Sequence, residues 1–424
     1  MEEDKKEKAL LVGVDTGEDT DFERSMEELA SLAEACNMQV AGLITQKLSM
    51  VNKALYIGSG KIAEVRDFAR DIEADVVVFD NALSPSQLRN LQNELEKPIL
   101  DRTTLILDIF STRAQTREAK LQVETARLQY LLPRLVGMRA ALSRQGGASG
   151  SMSNKGAGEK KLELDRRRIE HRLSELRKEL DEVAQERVTQ RKKRLSSRIP
   201  KVSLVGYTNA GKSTILNHMV EKYLGEEDKK VLEKDMLFAT LETTVRKIET
   251  GNNQDFLLSD TVGFIHKLPH GLIKAFRSTL EEVKNADLLL HVIDYSDEHY
   301  KQQMAVTEET LQELEAGDIP VIYVFNKTDK CTGEGVRHRT EDNRIYMSAQ
   351  NEQDIEELVW LIIRKLYASH VNAEFLIPYA QGQITSYFME NARVDVQEYR
   401  EDGVYLKVNC NAADRGKYQN YLLF

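Results

Sequence analysis

The chain has 424 residues, which is longer than one ordinary domain and predicts two to four. Its formal net charge of −10 argues against a general polyanion binder, and its hydrophobic content of 41% suffices for packed cores. Three cysteines lie far apart without metal-ligand spacing, which excludes a disulfide scaffold and is typical of a reducing compartment: Cys36, Cys331 and Cys410. Residues 1–8 lack the apolar stretch of a signal peptide, and no run is long enough for a membrane span. We therefore expect a cytoplasmic monomer.

Residues 1–112 predict an α/β domain with a parallel sheet, because strand-like and helix-like segments alternate. The expected strands are Ala9–Val14, Gln39–Ile44 and Asp75–Asp80, and the expected helices are Asp21–Cys36, Lys61–Ala74 and Ser84–Glu96. Ser84 followed by Pro85 is a helix-start signal. The G-S-G-K segment at Gly58–Lys61 favours an ordinary turn, and a second phosphate site is the alternative.

Residues 113–198 predict a helical hairpin. The first helix should bend or break at Pro133. Residues 145–158 are rich in Gly and Ser, a composition that favours a flexible linker. A second helix is expected from Glu159 to about Leu195, and its apolar spacing indicates a coiled-coil-like antiparallel pair.

The second helix of the hairpin is basic. From Lys160 to Lys201 there are fifteen Lys or Arg against eight Asp or Glu, a formal charge of +7 in an acidic chain. The densest patches are 166–168 and 191–194. A solvated helix face and an RNA-binding surface are both consistent with this charge.

Residues 199–369 predict a nucleotide-binding domain that opens with a P-loop. The motif G-x-x-x-x-G-K-S runs from Gly206 to Ser213, between an apolar strand and an expected helix at 212–223. In such a loop, backbone N–H groups hold phosphate, Lys212 reaches the β- and γ-phosphates and Ser213 ligates Mg²⁺. The expected phosphate-binding residues are Gly206, Tyr207, Thr208, Asn209, Ala210, Gly211, Lys212, Ser213 and Thr214.

A second motif, Asp260-Thr-Val-Gly263, ends an expected strand. Asp260 should hold a Mg²⁺-bound water, and the Gly263 N–H should meet the γ-phosphate. The segment Leu237–Leu241 lies between the two motifs, and Thr240 is the expected second hydroxyl ligand of Mg²⁺, with Thr243 and Thr244 as alternatives. The predicted metal ligands are Ser213, Thr240 and Asp260, and the predicted nucleotide contacts here are Phe238, Ala239, Thr240, Leu241, Asp260, Thr261, Val262 and Gly263.

Guanine specificity is predicted from Asn326-Lys-Thr-Asp329, which follows a buried strand. Asp329 can accept from guanine N1–H and N2–H₂, donors that adenine lacks in that arrangement. Asn326 should tie this loop to the P-loop, and the stem of Lys327 should cover the base. In Ser348-Ala-Gln350, the Ala349 N–H can meet guanine O6. The expected base contacts are Asn326, Lys327, Thr328, Asp329, Ser348, Ala349 and Gln350.

Hydrolysis is expected to be slow without help. Phe264 occupies the position at which many GTPases have a Gln that orients the attacking water. A partner or a cation should therefore accelerate GTP hydrolysis. Asn209 either ligates a monovalent ion such as K⁺ or shapes the loop. Arg246 is a candidate arginine finger, a side chain that stabilises charge in the transition state. The residues expected to act in catalysis are Lys212, Gly263 and Asn209.

The remaining elements follow the order of a P-loop GTPase and a small appended domain. The GTPase strands are expected at Val245–Thr250, Phe256–Ser259, Asp287–Ile293, Val321–Phe325 and Arg344–Met347, with helices near 270–285, 298–314 and 353–367. Residues 370–424 predict an α+β domain with strands Glu374–Pro378, Val394–Tyr399 and Val404–Asn409 and a helix at Gln381–Asn391. Asp402-Gly403 is a hairpin signal.

With these motifs in place, the chain resembles the HflX family of translational GTPases over nearly its whole length. Besides the motifs above, the resemblance is carried by Leu268-Pro269-His270, Tyr56–Lys61, Asp108–Phe110, Arg117–Gln122 and Gly156–Arg167. It implies a GTPase that binds the large ribosomal subunit and its rRNA and splits stalled or idle ribosomes. It also implies that the glycine-rich tip at 145–158 reaches toward the peptidyl-transferase region. The chain departs from the family at Ser151–Asn154 and at Glu242–Thr244.

Two other functions fit the sequence. One is a GTPase in ribosome assembly or RNA modification, in which the basic helices hold a precursor RNA. The other is a non-catalytic GTP-sensing interaction protein, in which Phe264 marks lost hydrolysis.

Overall fold

A computed structural model describes residues 6–17, 21–144, 152–195, 199–224, 238, 244–251, 253–267, 282–331 and 339–423. The chain forms two compact units that are not contiguous in sequence. The first contains residues 1–194 with the segments 235–242 and 265–278, and the second contains the rest. No helix in the described ranges is long and apolar enough to cross a membrane.

The first unit is built on a parallel sheet of four strands, in the order β2-β1-β3-β4. The strands are β1 (Glu7–Asp15), β2 (Met38–Lys47), β3 (Val76–Phe79) and β4 (Ile99–Asp101), and the helices are α1 (Phe22–Ala35), α2 (Ser59–Asp71), α3 (Pro85–Leu95) and α4 (Arg102–Arg113). A buried apolar cluster that includes Leu10, Val77 and Phe79 forms the core. The predicted parallel α/β arrangement is confirmed.

Capping fixes where the helix at 85–95 begins. The Ser84 side chain accepts from the Gln87 N–H, the Gln87 side chain accepts from the Ser84 N–H, and Pro85 is the first helical residue. This capping box satisfies N–H groups that would otherwise lack partners, so the predicted start is confirmed.

Two long helices follow in the same unit, α5 (Arg117–Arg144) and α6 (Met152–Leu195). A bend or a break is expected at Pro133. The break is wrong, because α5 runs through this residue, and the bend stays a prediction. Proline removes one helical N–H donor, and the other hydrogen bonds of the helix maintain it. The expected start of α6 at Glu159 is also wrong, since the helix begins seven residues earlier and contains Gly156 and Gly158. The rest of the predicted linker, residues 145–151, lies outside the described residues.

The second unit contains a sheet of seven strands in the order β10-β11-β9-β8-β5-β7-β6. Its strands are β5 (Lys201–Gly206), β6 (Thr244–Ile248), β7 (Phe256–Asp260), β8 (Leu288–Asp294), β9 (Val321–Asn326), β10 (Arg339–Glu341) and β11 (Arg344–Tyr346). The described α-helices that accompany this sheet are α7 (Lys212–Leu224), α8 (Tyr300–Glu313) and α9 (Glu352–Leu366). The strands β5, β7, β8, β9 and β11 are parallel and β6 and β10 antiparallel, which confirms the predicted hairpin of β6 and β7. The predicted helix near 270–285 lies mostly outside the described residues.

The C-terminal residues of this unit form a sheet of three antiparallel strands, β12-β14-β13, with its own apolar core. The elements are β12 (His370–Ile377), α10 (Gly382–Asn391), β13 (Arg393–Arg400), β14 (Gly403–Asn411) and the short helix α11 (Ala412–Lys417). The Asn253 side chain donates to the Ala392 carbonyl at 3.0 Å and so joins the β6–β7 loop to this sheet. The predicted α+β arrangement is confirmed.

Candidate nucleotide-binding site

The candidate site lies where four parallel strands end. In this order, β5 ends at Gly206, β7 at Asp260, β8 at Asp294 and β9 at Asn326. Asp294 and Asn326 are direct partners in the pairing of β8 with β9. Ligands of open α/β sheets bind at this carboxyl edge. The fold therefore brings together the P-loop, the Asp260 motif and the Asn326 motif, as the sequence predicts.

The P-loop backbone requires glycine at two positions. Gly206 has φ +144°, and a Cβ there would lie 2.2 Å from the Val292 carbonyl oxygen. Gly211 has φ +99°, and a Cβ there would lie 2.2 Å from Asn326 Nδ2. Between them, Asn209 is exposed and has φ +59°. The loop leads into α7, whose first-turn N–H groups and positive dipole end favour a phosphate.

Lys212 is buried at the centre of this loop. Its Nζ donates to the carbonyl oxygens of Gly206 and Tyr207, at 3.0 and 2.6 Å. Burial is the main cause that lowers the pKa of Lys212 to about 8; the charge of Asp260 opposes this shift and that of Lys327 adds to it. A phosphate beside this ammonium would favour its charged form.

Two oxygen donors suited to Mg²⁺ lie side by side. The Ser213 hydroxyl donates to the buried Asp260 carboxylate at 2.7 Å, and the next residue, Thr261, donates to the Leu204 carbonyl at 2.6 Å. A hydroxyl and a carboxylate are hard ligands of the kind that Mg²⁺ prefers, so the residues present fit this ion. Thr240, Ala239 and Leu241 lie outside the described residues, as does Thr243.

Phe238, from the same predicted segment, is described and buried. Its ring packs edge-on against Phe110 of α4, with the ring centroids 4.7 Å apart. Phe238 thus contributes to the core of the first unit, and nucleotide contact by this residue stays a prediction.

The residues after Asp260 are joined to the P-loop by backbone hydrogen bonds. The Phe264 N–H donates to the Gly206 carbonyl at 3.1 Å, and the Thr208 N–H donates to the Phe264 carbonyl at 2.8 Å. A Cβ on Gly263 would lie 2.8 Å from Thr208 Cα and 3.1 Å from Lys212 Nζ. The Phe264 side chain is buried, and a phenyl ring has no group that could orient water.

The Asn326 motif is tied to the P-loop through side chains. Asn326 Nδ2 donates to the Ala210 carbonyl at 2.9 Å, as predicted, and Asn326 Oδ1 accepts from the Ala349 N–H at 2.8 Å. Lys327 Nζ donates to the Asn209 carbonyl at 2.7 Å. The contact of the Ala349 N–H with guanine O6 stays a prediction, because here that N–H binds Asn326.

Asp329 is exposed at the same edge. Its Oδ1 accepts from the Ser348 hydroxyl at 2.6 Å, and the Gln350 N–H donates back to Ser348 at 3.3 Å. The neighbouring Thr328 is buried and donates its N–H to the Met347 carbonyl. The second carboxylate oxygen of Asp329 is therefore suited to accept a hydrogen bond from an N–H group of guanine.

Two acidic residues that the sequence analysis missed support this arrangement. Asp294 pairs with Lys327 Nζ at 2.7 Å, and Asp354 accepts from the Ser348 N–H at 2.7 Å. The signal for Asp294 was its position at the end of a parallel strand. Asp354 lies in the first turn of α9, where acidic residues are common for helix-dipole reasons, so its role was not distinguishable in the sequence.

Two other predicted features have ordinary structural partners. At Gly58–Lys61, the Gly58 N–H binds Gln46 Oε1 at 2.9 Å and Lys61 pairs with Glu64 at 2.6 Å. In the basic patch at 166–168, the three Arg side chains pair with carboxylates of the same helix. The side chains at 191–194 lie outside those described.

The fold and the site together define a P-loop protein of the GTPase class. Three family models match the chain in succession: "GTP-binding GTPase N-terminal" over residues 23–111, "GTP-binding GTPase Middle Region" over 113–194 and "50S ribosome-binding GTPase" over 201–327.

Proteins named "GTPase HflX" are similar over almost the full chain. The protein of Caldanaerobacter subterraneus is 40% identical, and the match covers 99% of this chain and 94% of the relative. The protein of Alkalihalophilus pseudofirmus is 43% identical, with 93% of this chain and 91% of the relative covered. The protein of Escherichia coli is 37% identical, with 96% of this chain and 94% of the relative covered. A solved GTP-binding protein from Sulfolobus solfataricus in complex with GDP is 24% identical over 85% of this chain and 99% of its own, with a TM-score of 0.44. The chain belongs to the HflX family of GTPases.

Proposed function

We propose that this GTPase binds the large ribosomal subunit and uses GTP to split or rescue stalled or idle ribosomes. The observation that carries the proposal is the match of its nucleotide domain to 50S ribosome-binding GTPases, within a full-length similarity to the HflX family. The basic segment 160–201, most of which belongs to α6, supports it, because its formal charge of +7 could meet rRNA.

GTP would bind across the edge of the seven-stranded sheet. Lys212 would contact the β- and γ-phosphates, and Asp329 would select guanine. Ser213 and Asp260, already 2.7 Å apart, would hold Mg²⁺, with Thr240 as the proposed second hydroxyl ligand. Mg²⁺ held there would supply positive charge that offsets the negative charge of the phosphates.

The chain does not place a water-orienting side chain at position 264, so we expect slow hydrolysis without ribosomes. Asn209, whose carbonyl accepts from Lys327 at 2.7 Å, is exposed at the phosphate side of the loop and is the proposed ligand of a K⁺ ion. Single-turnover hydrolysis should be several-fold faster in K⁺ than in Na⁺ if this assignment is right. Equal rates of hydrolysis in K⁺ and Na⁺ would contradict a role for K⁺.

Ribosome binding is tested by co-sedimentation with purified large subunits and by GTP turnover in their presence. We expect binding with a non-hydrolysable GTP analogue, weaker binding with GDP, and turnover that rises at least tenfold with mature subunits. Changing residues 191–194 to Gln should weaken binding and its salt dependence, because four phosphate contacts would be removed. Binding to precursor particles alone would favour a role in ribosome assembly instead.

A further inference from the structure

A hydroxyl group is buried in the P-loop, on the side chain of Thr208. This residue is only 7% exposed, and its Oγ1 has no hydrogen-bond partner among the residues that the structure describes. A buried hydroxyl without a partner costs free energy of folding, and a Val side chain of nearly the same shape would avoid that cost. Buried polar groups of this kind are rare in folded proteins, and functional sites are where they are expected.

The backbone fixes where the Thr208 side chain lies. The Thr208 N–H donates to the Phe264 carbonyl at 2.8 Å. A Cβ built on Gly263 would lie 2.9 Å from Thr208 Cγ2 and 3.1 Å from Lys212 Nζ. The threonine side chain and the lysine ammonium therefore both lie beside Gly263, and all four residues belong to the second compact unit.

The position of Lys212 indicates which part of the nucleotide would lie near Thr208. In P-loop GTPases this lysine contacts the β- and γ-phosphates, and the water that attacks the γ-phosphorus has to be oriented by a polar group. The buried phenyl ring of Phe264 has no such group. A hydroxyl has one donor and two acceptor sites, so it can bind a water and a phosphate oxygen at the same time. Thr208 therefore has the chemistry that Phe264 lacks.

We propose that Thr208 is a catalytic residue of the GTPase, whose hydroxyl orients the attacking water against the γ-phosphate. The hydroxyl accepts a hydrogen bond from the water and donates its own to a γ-phosphate oxygen. The water oxygen bonds to the γ-phosphorus, the bond from this phosphorus to the β–γ bridging oxygen breaks, and GDP leaves with that electron pair. One proton of the water passes to an oxygen of the released phosphate, and the threonine keeps its own proton. This role rests on the proposed position of the nucleotide and requires no ribosome.

The test is single-turnover GTP hydrolysis without ribosomes, in one K⁺ buffer and with the protein in saturating excess over GTP. Thr208→Val replaces the hydroxyl by a methyl group and should slow hydrolysis at least about fivefold. Thr208→Ser keeps the hydroxyl and should stay within about twofold of the parent protein. The matched control is Thr307→Val on α8, which removes a buried hydroxyl that donates to the Gln303 carbonyl at 3.0 Å and should leave the rate unchanged.

Nucleotide affinity and stability separate catalysis from folding. A group that acts in the transition state changes the rate more than the binding, so Thr208→Val should bind GDP and a non-hydrolysable GTP analogue within about twofold of the parent. Its midpoint of urea unfolding should be equal or higher, because the hydroxyl that is removed has no partner among the described residues.

Lys212→Ala distinguishes the role of Thr208 from the position of the nucleotide. This variant should weaken the binding of both nucleotides, and unchanged binding would contradict the proposed position itself. For Thr208, a loss of rate in the Val variant that is smaller than expected would overturn the proposal. So would an equal loss in the Ser variant, or a loss accompanied by lower GDP affinity or a lower midpoint of unfolding.

Discussion

Asp294 supports the nucleotide site, although it belongs to none of the sequence motifs. Its carboxylate and Lys327 Nζ are 2.7 Å apart and both side chains are mostly buried, so the pair holds the lysine over the P-loop carbonyl of Asn209. The motif residues were predictable because each belongs to a fixed spacing with a known chemical role. Asp294 is not part of a motif with fixed spacing. Only the pairing of β8 with β9 brings it close to Lys327.

Asp294→Asn should weaken the binding of GDP and GTP alike. The neutral amide removes a charge-assisted bond to Lys327, worth about 1 kcal/mol or roughly fivefold in affinity. Equilibrium titration with a fluorescent guanine nucleotide measures this. Asp287→Asn is the control, because Asp287 accepts from the Lys201 N–H at the other end of the same strands. Equal losses in both variants would contradict a specific role for Asp294.

His291, on β8, predicts how stability depends on pH. Burial, together with the nearby charge of Lys212, lowers the pKa of His291 to about 4 from its ordinary 6.5. Between these values the unfolded chain binds more protons, so this contribution is full above pH 6.5 and is lost as the pH falls toward 4. We expect a loss of about 2 kcal/mol in the free energy of unfolding between about pH 7.5 and 5.

His291→Gln should remove this part of the pH dependence. The fluorescence of Trp360, the single tryptophan, reports unfolding of the same unit because it lies on α9. Urea unfolding at the two pH values gives the free energies. If parent and variant lose the same stability on acidification, the buried histidine is not the cause.

At the scale of elements, periodicity and turn chemistry predicted most strands and helices of the three sheets, since most have apolar spacing or clear end signals. The sequence analysis missed α4 and the strands β4 and β10, which have only three residues each. In the helical hairpin, the bounds of the helices also differ. Gly156 and Gly158 are poor helix formers, yet they lie inside α6, and Pro133 lies inside α5. Propensity is a weak local preference of about 1 kcal/mol for Gly, and a long helix with many favourable neighbours can override it.

The hairpin of β13 and β14 depends on one glycine. Gly403 has φ +153°, and a Cβ there would lie 2.3 Å from the Ile377 carbonyl oxygen on β12. Gly403→Ala should therefore destabilise the C-terminal sheet by about 2 kcal/mol or more. Hydrogen exchange of the β14 amides measures the loss. Gly382→Ala is the matched control, since a Cβ there meets nothing within 4 Å, and equal exchange in both variants would contradict the prediction.

At the scale of the whole molecule, the division into two units could not be predicted from sequence. Residues 235–242 and 265–278, which flank the nucleotide motifs, belong to the same unit as residues 1–194. Their contacts, such as those of Phe238 with Phe110 and of Lys267 with Asp80, join residues more than a hundred positions apart. No local pattern encodes such pairs. The guanine-nucleotide motifs, in contrast, identified the GTPase class before the fold was known, and the full-length similarity to HflX proteins confirms it.

The central claim, that GTP drives this protein to separate ribosomal subunits, is tested most directly by sucrose-gradient sedimentation of 70S ribosomes. The protein is added with GTP, a non-hydrolysable analogue or GDP, and Lys212→Ala serves as the nucleotide-binding control. We predict that free subunits increase at the expense of 70S particles with GTP and with the analogue, and much less with GDP or with the variant. Unchanged subunit populations in every nucleotide state would contradict the account.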